Sequence, residues 1–426
     1  MYLSQRWPMF IGLACLGLIF FFSFSDHTTS LRSKFSTHQT AQGPLNVGTP
    51  GLDWEFDTDR DGINLGLTDE QCSAAFPRLY AEIDRAYEFH KSRGIQREQI
   101  VLDPVAFHAQ AHCMIYNGQL YIIEEKLRPY DHRPFRDPRV FAAVASVYRS
   151  MAALPDPRIL PNIEFIINVA DDPGEPDPNV RVCWGFSRDK EDNSTWIMPD
   201  HGGWSPFDVV GVGSYNIFRD EVKRNEKPFE EKIPKAVYRG TASLNEMRER
   251  LVQISNGTTW GDAQHTNKQN HVTTHKFCDW QYLFHVEGRS WSGRLRYLAN
   301  CESVLIIPPL NYIAHFYPLL EAEGENQNHV QVNPDWSTLD DTMMYWTSHP
   351  KEAAAIAAES ARTFRDRYLT PAAEACYYRR MFTTWRAVQN FEPELFHEVV
   401  NKHGILEKQI RGKGYEEWSL PAVNFC

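Results

Sequence analysis

The chain has 426 residues, of which 42% are apolar and 23% charged, a globular balance that excludes a disordered or collagen-like protein. Lysines and arginines number 44 against 55 aspartates and glutamates, a formal net charge of −11, so no general basic field exists to hold nucleic acid. An anionic ligand must then be caught by a few placed arginines and backbone dipoles, in a chain whose length suits two or three domains of about 150 residues.

In chain order, residues 1–6 read as a cytoplasmic tail and 7–25 as a signal-anchor helix. Trp7 to Phe24 carries no charge over 18 residues, the lower edge of what spans a bilayer. A cleaved signal peptide is the rival, but the run is longer than a usual h-region and Ser23-Phe24-Ser25 matches a cleavage site poorly. Residues 26–55, rich in Ser, Thr, Gln and Gly, read as a stem. The apolar stretch Ser303–Leu320 contains Pro308, Pro309, Asn311 and Pro318 and reads as soluble core.

Thr68 and Gln71 form a capping-box pattern, and Cys72, Phe76, Leu79, Tyr80, Ile83 and Tyr87 recur at helical spacing to about Arg93. Asn117-Gly118 between Cys113–Tyr116 and Gln119–Glu124 predicts a hairpin. Lys351–Tyr368 and Ala372–Phe391 predict two long helices, the second opened by Thr370-Pro371. The eight cysteines lie far apart with no CxxC, against zinc and against a thioredoxin motif. Sequons at Asn193 and Asn256 fit a lumenal chain.

Three segments place polar residues where chemistry gathers. Ile163–Val169 runs into Asp171 and Asp172, and in open α/β sheets functional groups collect at the carboxyl ends of strands, where a general base would stand. Ala236–Tyr238 leads into Arg239-Gly240-Thr241 and then Ser243-Leu244-Asn245-Glu246, a second capping-box pattern that predicts a helix from Ser243. A helix start beside an arginine suits a phosphate, although a surface carboxylate is the commoner partner for such an arginine. Tyr282–Val286, the loop Glu287–Gly293, a helix Arg294–Cys301 and the strand Ser303–Ile307 predict a βαβ unit whose loop brings Arg289, Ser290, Trp291, Ser292, Gly293 and Arg294 to the helix start, a natural cradle for pyrophosphate.

Other signals fail on spacing. The loop from Asp57 has Thr68 where an EF-hand needs Glu. A DxD reading of Asp57 and Asp59 sits too close to the stem. Gly211-Val212-Gly213 misses a third glycine, His397-Glu398 has Asn401 where a zinc protease needs His, and no GxSxG occurs. Trp196, Trp204 and Tyr215 could stack on sugar rings, with core packing the commoner fate of such residues.

INVADDP (Ile167–Pro173), VYRGTAS (Val237–Ser243), CDWQYLFHVEGRSWSGRLRYLANCESVLI (Cys278–Ile306), FYPLL (Phe316–Leu320) and HVQV (His329–Val332) resemble the family-90 glycosyltransferases, the protein O-glucosyltransferases and fungal capsule-associated xylosyltransferases. The likeness runs from about Gly66 to Phe391. It implies a GT-B-like α/β fold of two Rossmann-like lobes facing a cleft, here 56–230 for acceptor and base and 231–392 for the UDP-sugar, with 393–426 as a C-terminal tail. It implies an inverting transfer from a UDP-sugar, with no metal and no cofactor, onto a glycoprotein or polysaccharide hydroxyl.

By position Asp171 matches the family's base, and Asp172 falls where the family often has an aromatic residue. Thr241 matches a donor-contacting hydroxyl, Arg248 would reach the phosphates, and Arg289–Arg294 matches the diphosphate loop, with Arg239 and Gly240 beside it. The same resemblance pairs Cys278 with Cys301 and Cys72 with Cys376, leaving Cys113 and Cys183 as a third candidate pair. Ala242 stands where some glucosyltransferases carry a second arginine, which leaves the donor open between xylose and glucose. The C-terminal Asn424-Phe425-Cys426 lacks a KDEL-like signal, which with the anchor leads to the expectation of a single-pass type II Golgi or ER–Golgi membrane enzyme with a lumenal catalytic part. The rivals are a non-catalytic lumenal lectin or chaperone on the same fold, and a glycoside hydrolase with two carboxylates flanking one bond.

Overall fold

A computed structural model describes residues 54–104, 109–126, 137–171, 177–205 and 212–420, all within one unit that begins at Pro50. The expected anchor and nearly all of the stem, with Asp172 and Gly211, lie outside the described residues. Among the described residues no helix is long and apolar enough to cross a membrane.

Asn117 and Gly118 both adopt positive φ, 48° and 75°, the backbone a tight hairpin turn needs. The turn pairs Gln110–Tyr116 antiparallel with Gln119–Lys126. Gln110–Tyr116 also pairs antiparallel with Ile163–Asn168, and Trp184–Gly185 and Trp196–Ile197 extend the sheet in parallel beyond it. The opposite edge comes from the end of the chain, where Lys413–Gly414 pairs with Gln119–Lys126. The segment expected as a tail from 393 thus supplies this edge strand and an exposed hairpin, Phe396–Val400 with Leu406–Ile410. Arg411 clamps the buried Glu164 at 2.8 and 3.0 Å.

The second sheet is parallel throughout, in the order Val330–Gln331, Val304–Ile307, Trp280–Phe284, Ile233–Gly240, Gly261–His265. Alternate residues serve its two faces. Val237, Leu283, Leu305 and Ile307 join the main core, while Ala236, Tyr238, Tyr282, Phe284, Val304 and Ile306 join a second cluster. The predicted βαβ unit is present, with Trp280–Phe284 and Val304–Ile307 in parallel register, but its helix is only Arg294–Leu298 and turns follow to Cys301.

The Thr68–Gln71 capping box is made in both directions at 2.9 and 3.2 Å, yet the helical periodicity resolves into two helices, Asp69–Ala75 and Ala81–His90, broken around Pro77. Thr370 caps Pro371–Val388. That helix returns to the first sheet, where Tyr377 donates to the Ile197 carbonyl at 2.8 Å and Trp385 to that of Glu164 at 3.0 Å. It carries Cys376, which bridges to Cys72, and Cys278 bridges to Cys301.

Cys113 and Cys183 are free thiols, which corrects the third candidate pair. The strand Ile163–Asn168 lies between them, since Cys113 pairs with Phe165 and Trp184 with Ile167. Two strand spacings are about 10 Å, beyond the Cα separation a disulfide tolerates. Burial raises both thiols, Cys183 to about 11. Trp196 and Tyr215 are core residues with no face for a sugar, and Trp204, partly exposed, has Arg149 over its ring at 4.9 Å. The sequon residues Asn193 and Asn256 are exposed.

Candidate active site

A cavity of 960 Å³ opens where the loops after three parallel strands meet the end of Ile163–Asn168, the crevice at strand carboxyl ends that open α/β sheets offer to ligands. Its size lies within the range of small-molecule sites. Asp171, Arg239, Gly240, Thr241, Arg248, Arg289, Ser290, Trp291, Ser292, Gly293 and Arg294 all line it.

Asp171 is half-exposed, and its Oδ1 accepts from Arg139 Nη1 at 2.7 Å. Arg139 sits in the first turn of the Pro138–Ala152 helix, fixed by Asp137, whose carboxylate accepts from the backbone N–H groups of Arg139 and Val140. The carbonyl of Asp171 accepts from Ser290 Oγ at 2.8 Å and from Ser187 Oγ at 3.2 Å. The strand end with its acid and the 287–294 loop are therefore joined by a direct hydrogen bond.

That loop is held from below. The helix expected at Ser243 starts instead at Glu246 with Asn245 as its cap, and residues 242–244 form a single 3-10 turn. Asn245 accepts from the Arg248 N–H and donates to the carbonyls of Glu287 and Gly288 at 3.0 and 2.7 Å. Arg248 donates through Nε to Glu287 O at 2.8 Å and through Nη2 to Val286 O at 3.0 Å. It supports the loop backbone as well as facing the cavity.

Arg239 lines the cavity with its charge already paired. Its Nη2 pairs with Asp262 at 2.7 Å and its Nε donates to Asn270 O at 3.2 Å, so its charge is met by a carboxylate on the neighbouring strand. Ser290 spends its hydroxyl on Asp171, and Trp291 packs in the core, its ring 3.3 Å from where a Cβ on Gly293 would stand. With only five residues in the helix after Gly293, the helix dipole is short and the charge at this end rests on Arg294.

Arg248, Arg289 and Arg294 make no ion pair with a carboxylate among the described residues. Their field is felt by His285, where burial first, then Arg294 and Arg248, push the imidazole down to about 3 and leave it neutral. Nearby, burial would raise the Asp200 carboxyl, but Arg296 at 2.8 Å holds it below its ordinary value. Arg296 also faces Glu374, which takes Arg149 at 2.6 Å. This buried chain ties the short helix to the Pro138–Ala152 and Pro371–Val388 helices.

The sequence reading missed Arg139, Asp200, His201, Thr266, His271 and Tyr297, which also line the cavity. Asp137-Pro138 is a helix-start signature that places Arg139 in a helix's first turn, though not beside Asp171. No local signal marks the others. Among the described residues no group of three or more His, Cys, Asp or Glu is placed to hold a metal.

A sequence model described as Glycosyl transferase family 90 matches residues 69–413. The chain is similar to Protein O-glucosyltransferase 2 of Danio rerio, 25% identical over 346 residues, covering 76% of this chain and 64% of that protein. It is similar to Protein O-glucosyltransferase 1 of Rattus norvegicus, 25% identical over 256 residues, 54% of this chain and 63% of that one. The O-glucosyltransferase rumi homolog of Anopheles gambiae is 24% identical over 312 residues, 66% of this chain and 74% of its own. The chain thus spans just under two thirds of the two vertebrate relatives.

Proposed function

The chain belongs to glycosyl transferase family 90, and from that premise we propose that it moves a sugar from a UDP-sugar to a hydroxyl of a glycoprotein or polysaccharide, with inversion and without a metal. The observation that carries this is an imbalance of charge. In a chain of net charge −11, Arg248, Arg289 and Arg294 have no carboxylate partner among the described residues and surround one loop, and that loop is bonded to the backbone of the half-exposed Asp171. Three unmatched cations suit a dianionic diphosphate. A carboxylate at the rim suits a base.

In this reading the acceptor hydroxyl gives its proton to Asp171 as the new C–O bond forms, and Arg139 holds the carboxylate in one orientation. Arg294 and Arg289 take up the charge that develops on the departing UDP, and Arg248 supports them from the loop base. The parallel second sheet with its crevice supports a GT-B arrangement in which Thr241 and the 287–294 loop hold the donor. The names of the relatives favour glucose as the sugar and a protein as the acceptor, with xylose as the alternative donor. An N-terminal anchor at 7–25 would place the site in the Golgi lumen, and the exposed Asn193 and Asn256 would then be open to glycosylation.

The test is a donor screen. Purified protein is incubated with UDP-glucose, UDP-xylose and other UDP-sugars, and released UDP is measured with and without acceptor. Turnover of one donor supports the reading; absence of UDP binding and of turnover with every donor would reject it in favour of a non-catalytic carbohydrate-binding protein.

A further inference from the structure

Arg294 is half-buried at the cavity wall, and among the described residues it has neither a carboxylate nor a carbonyl acceptor. What it touches is the face of Tyr238, with 5.3 Å from the guanidinium carbon to the ring centroid. Arg248 approaches the same ring at 6.0 Å. Tyr238 is 1% exposed and locked in the second core cluster with Tyr282 and Phe284, so its ring is a fixed surface. Tyr238, Gly240 and Arg294 converge on one point. A Cβ built on Gly240 would lie 2.5 Å from the Tyr238 hydroxyl and 3.2 Å from Arg294 Nη1. The last residue of the strand must therefore be glycine for the Tyr238 hydroxyl and Arg294 to share this space.

A half-buried arginine is usually aimed by a carboxylate, as Arg239 is by Asp262. Such a partner cancels the charge and occupies the N–H fork. An aromatic face attracts the cation through its quadrupole and leaves both free. We propose that Tyr238 is a positioning residue whose ring face aims Arg294 at the donor diphosphate while leaving its charge and N–H groups unspent. This rests on the reading of the cavity as a UDP-sugar site. It also accounts for two cations sharing one ring without an anion between them.

The test alters the quadrupole and keeps the shape. Tyr238→Phe is compared with full-length proteins carrying mono-, di- and trifluorophenylalanine at position 238, and affinity for UDP and for uridine is measured by calorimetry. UDP affinity should fall stepwise with fluorination, by about five- to thirtyfold at the trifluoro step, while uridine affinity stays constant. A flat UDP series overturns the proposal, as does a uridine series that falls in parallel, which would mean general loosening. A Tyr238→Phe loss as large as the trifluoro loss also overturns it, by assigning the effect to the hydroxyl. Wild-type protein with no affinity for UDP rejects the underlying reading and this inference with it, whereas normal wild-type binding with a flat series rejects this inference alone.

Discussion

Arg294 and Arg239 stand at the same cavity, yet replacing each by methionine should have opposite consequences. A unit charge pair about 4 Å apart at an effective dielectric near 20 is worth about 4 kcal/mol. Desolvation and the remaining arginines reduce this to the roughly 1.5–3 kcal/mol of a hydrogen bond between charged groups. Arg294 has no carboxylate to leave behind, so Arg294→Met should lower UDP affinity about 10- to 150-fold. Its melting temperature should stay close to wild type, because the lost ring contact is offset by relief of repulsion from Arg248. Arg239 pairs with Asp262, the two side chains 8% and 17% exposed. Arg239→Met removes the charge partner of Asp262 and leaves it only the neutral donors Gln264 and Trp280, which should cost about 3 kcal/mol of stability while changing UDP affinity only a fewfold. Calorimetric titration with UDP and thermal melts of the three proteins measure both axes. Equal losses of UDP affinity at unchanged melting temperature would refute the assignment of Arg239 to the scaffold.

Asp171→Asn should retain UDP affinity and lose at least about a hundredfold in transfer; a fully active variant would move the base elsewhere. Transfer should persist in EDTA, and activity restored only by manganese would contradict the metal-free reading. Glu164 gives a pH dependence: burial would raise it, but His112 and Arg411 hold it at about 2 against an ordinary 4.5. Its folded value lies below the unfolded one, so its stabilisation is complete above about 4.5 and is lost as pH falls toward 2, roughly 2–3 kcal/mol in all. Urea unfolding at pH 7 and pH 3 should show a shallower fall for Glu164→Gln than for wild type, and parallel falls would count against the clamp.

Much of the frame was written locally. The Asn117-Gly118 turn, the Thr68–Gln71 box and Thr370-Pro371 each satisfy backbone groups within a few residues, and the structure makes all three. The loop from Glu287 to Arg294 was recognisable because its glycines and arginines lie in one run. What stayed hidden depends on residues far apart in sequence. Arg239 was drawn to Asp262 because their strands pair in parallel, and nothing in Arg-Gly-Thr reports that. Ser243 and Asn245 are both good caps, and the strand exit, with Asn245 also reaching Glu287 and Gly288, selects the second. Likewise the chain of Asp200, Arg296, Glu374 and Arg149 draws on four elements, and Lys413–Gly414 reaches a strand ending near residue 126.

The bond from Ser290 ends on the carbonyl of residue 171 and leaves the carboxylate untouched. The acid is thus held twice, by its main chain to the loop and by its side chain to Arg139. A displacement of the 287–294 loop would therefore draw on the backbone that carries Asp171, so the two walls of the cavity share one hydrogen-bonded hinge.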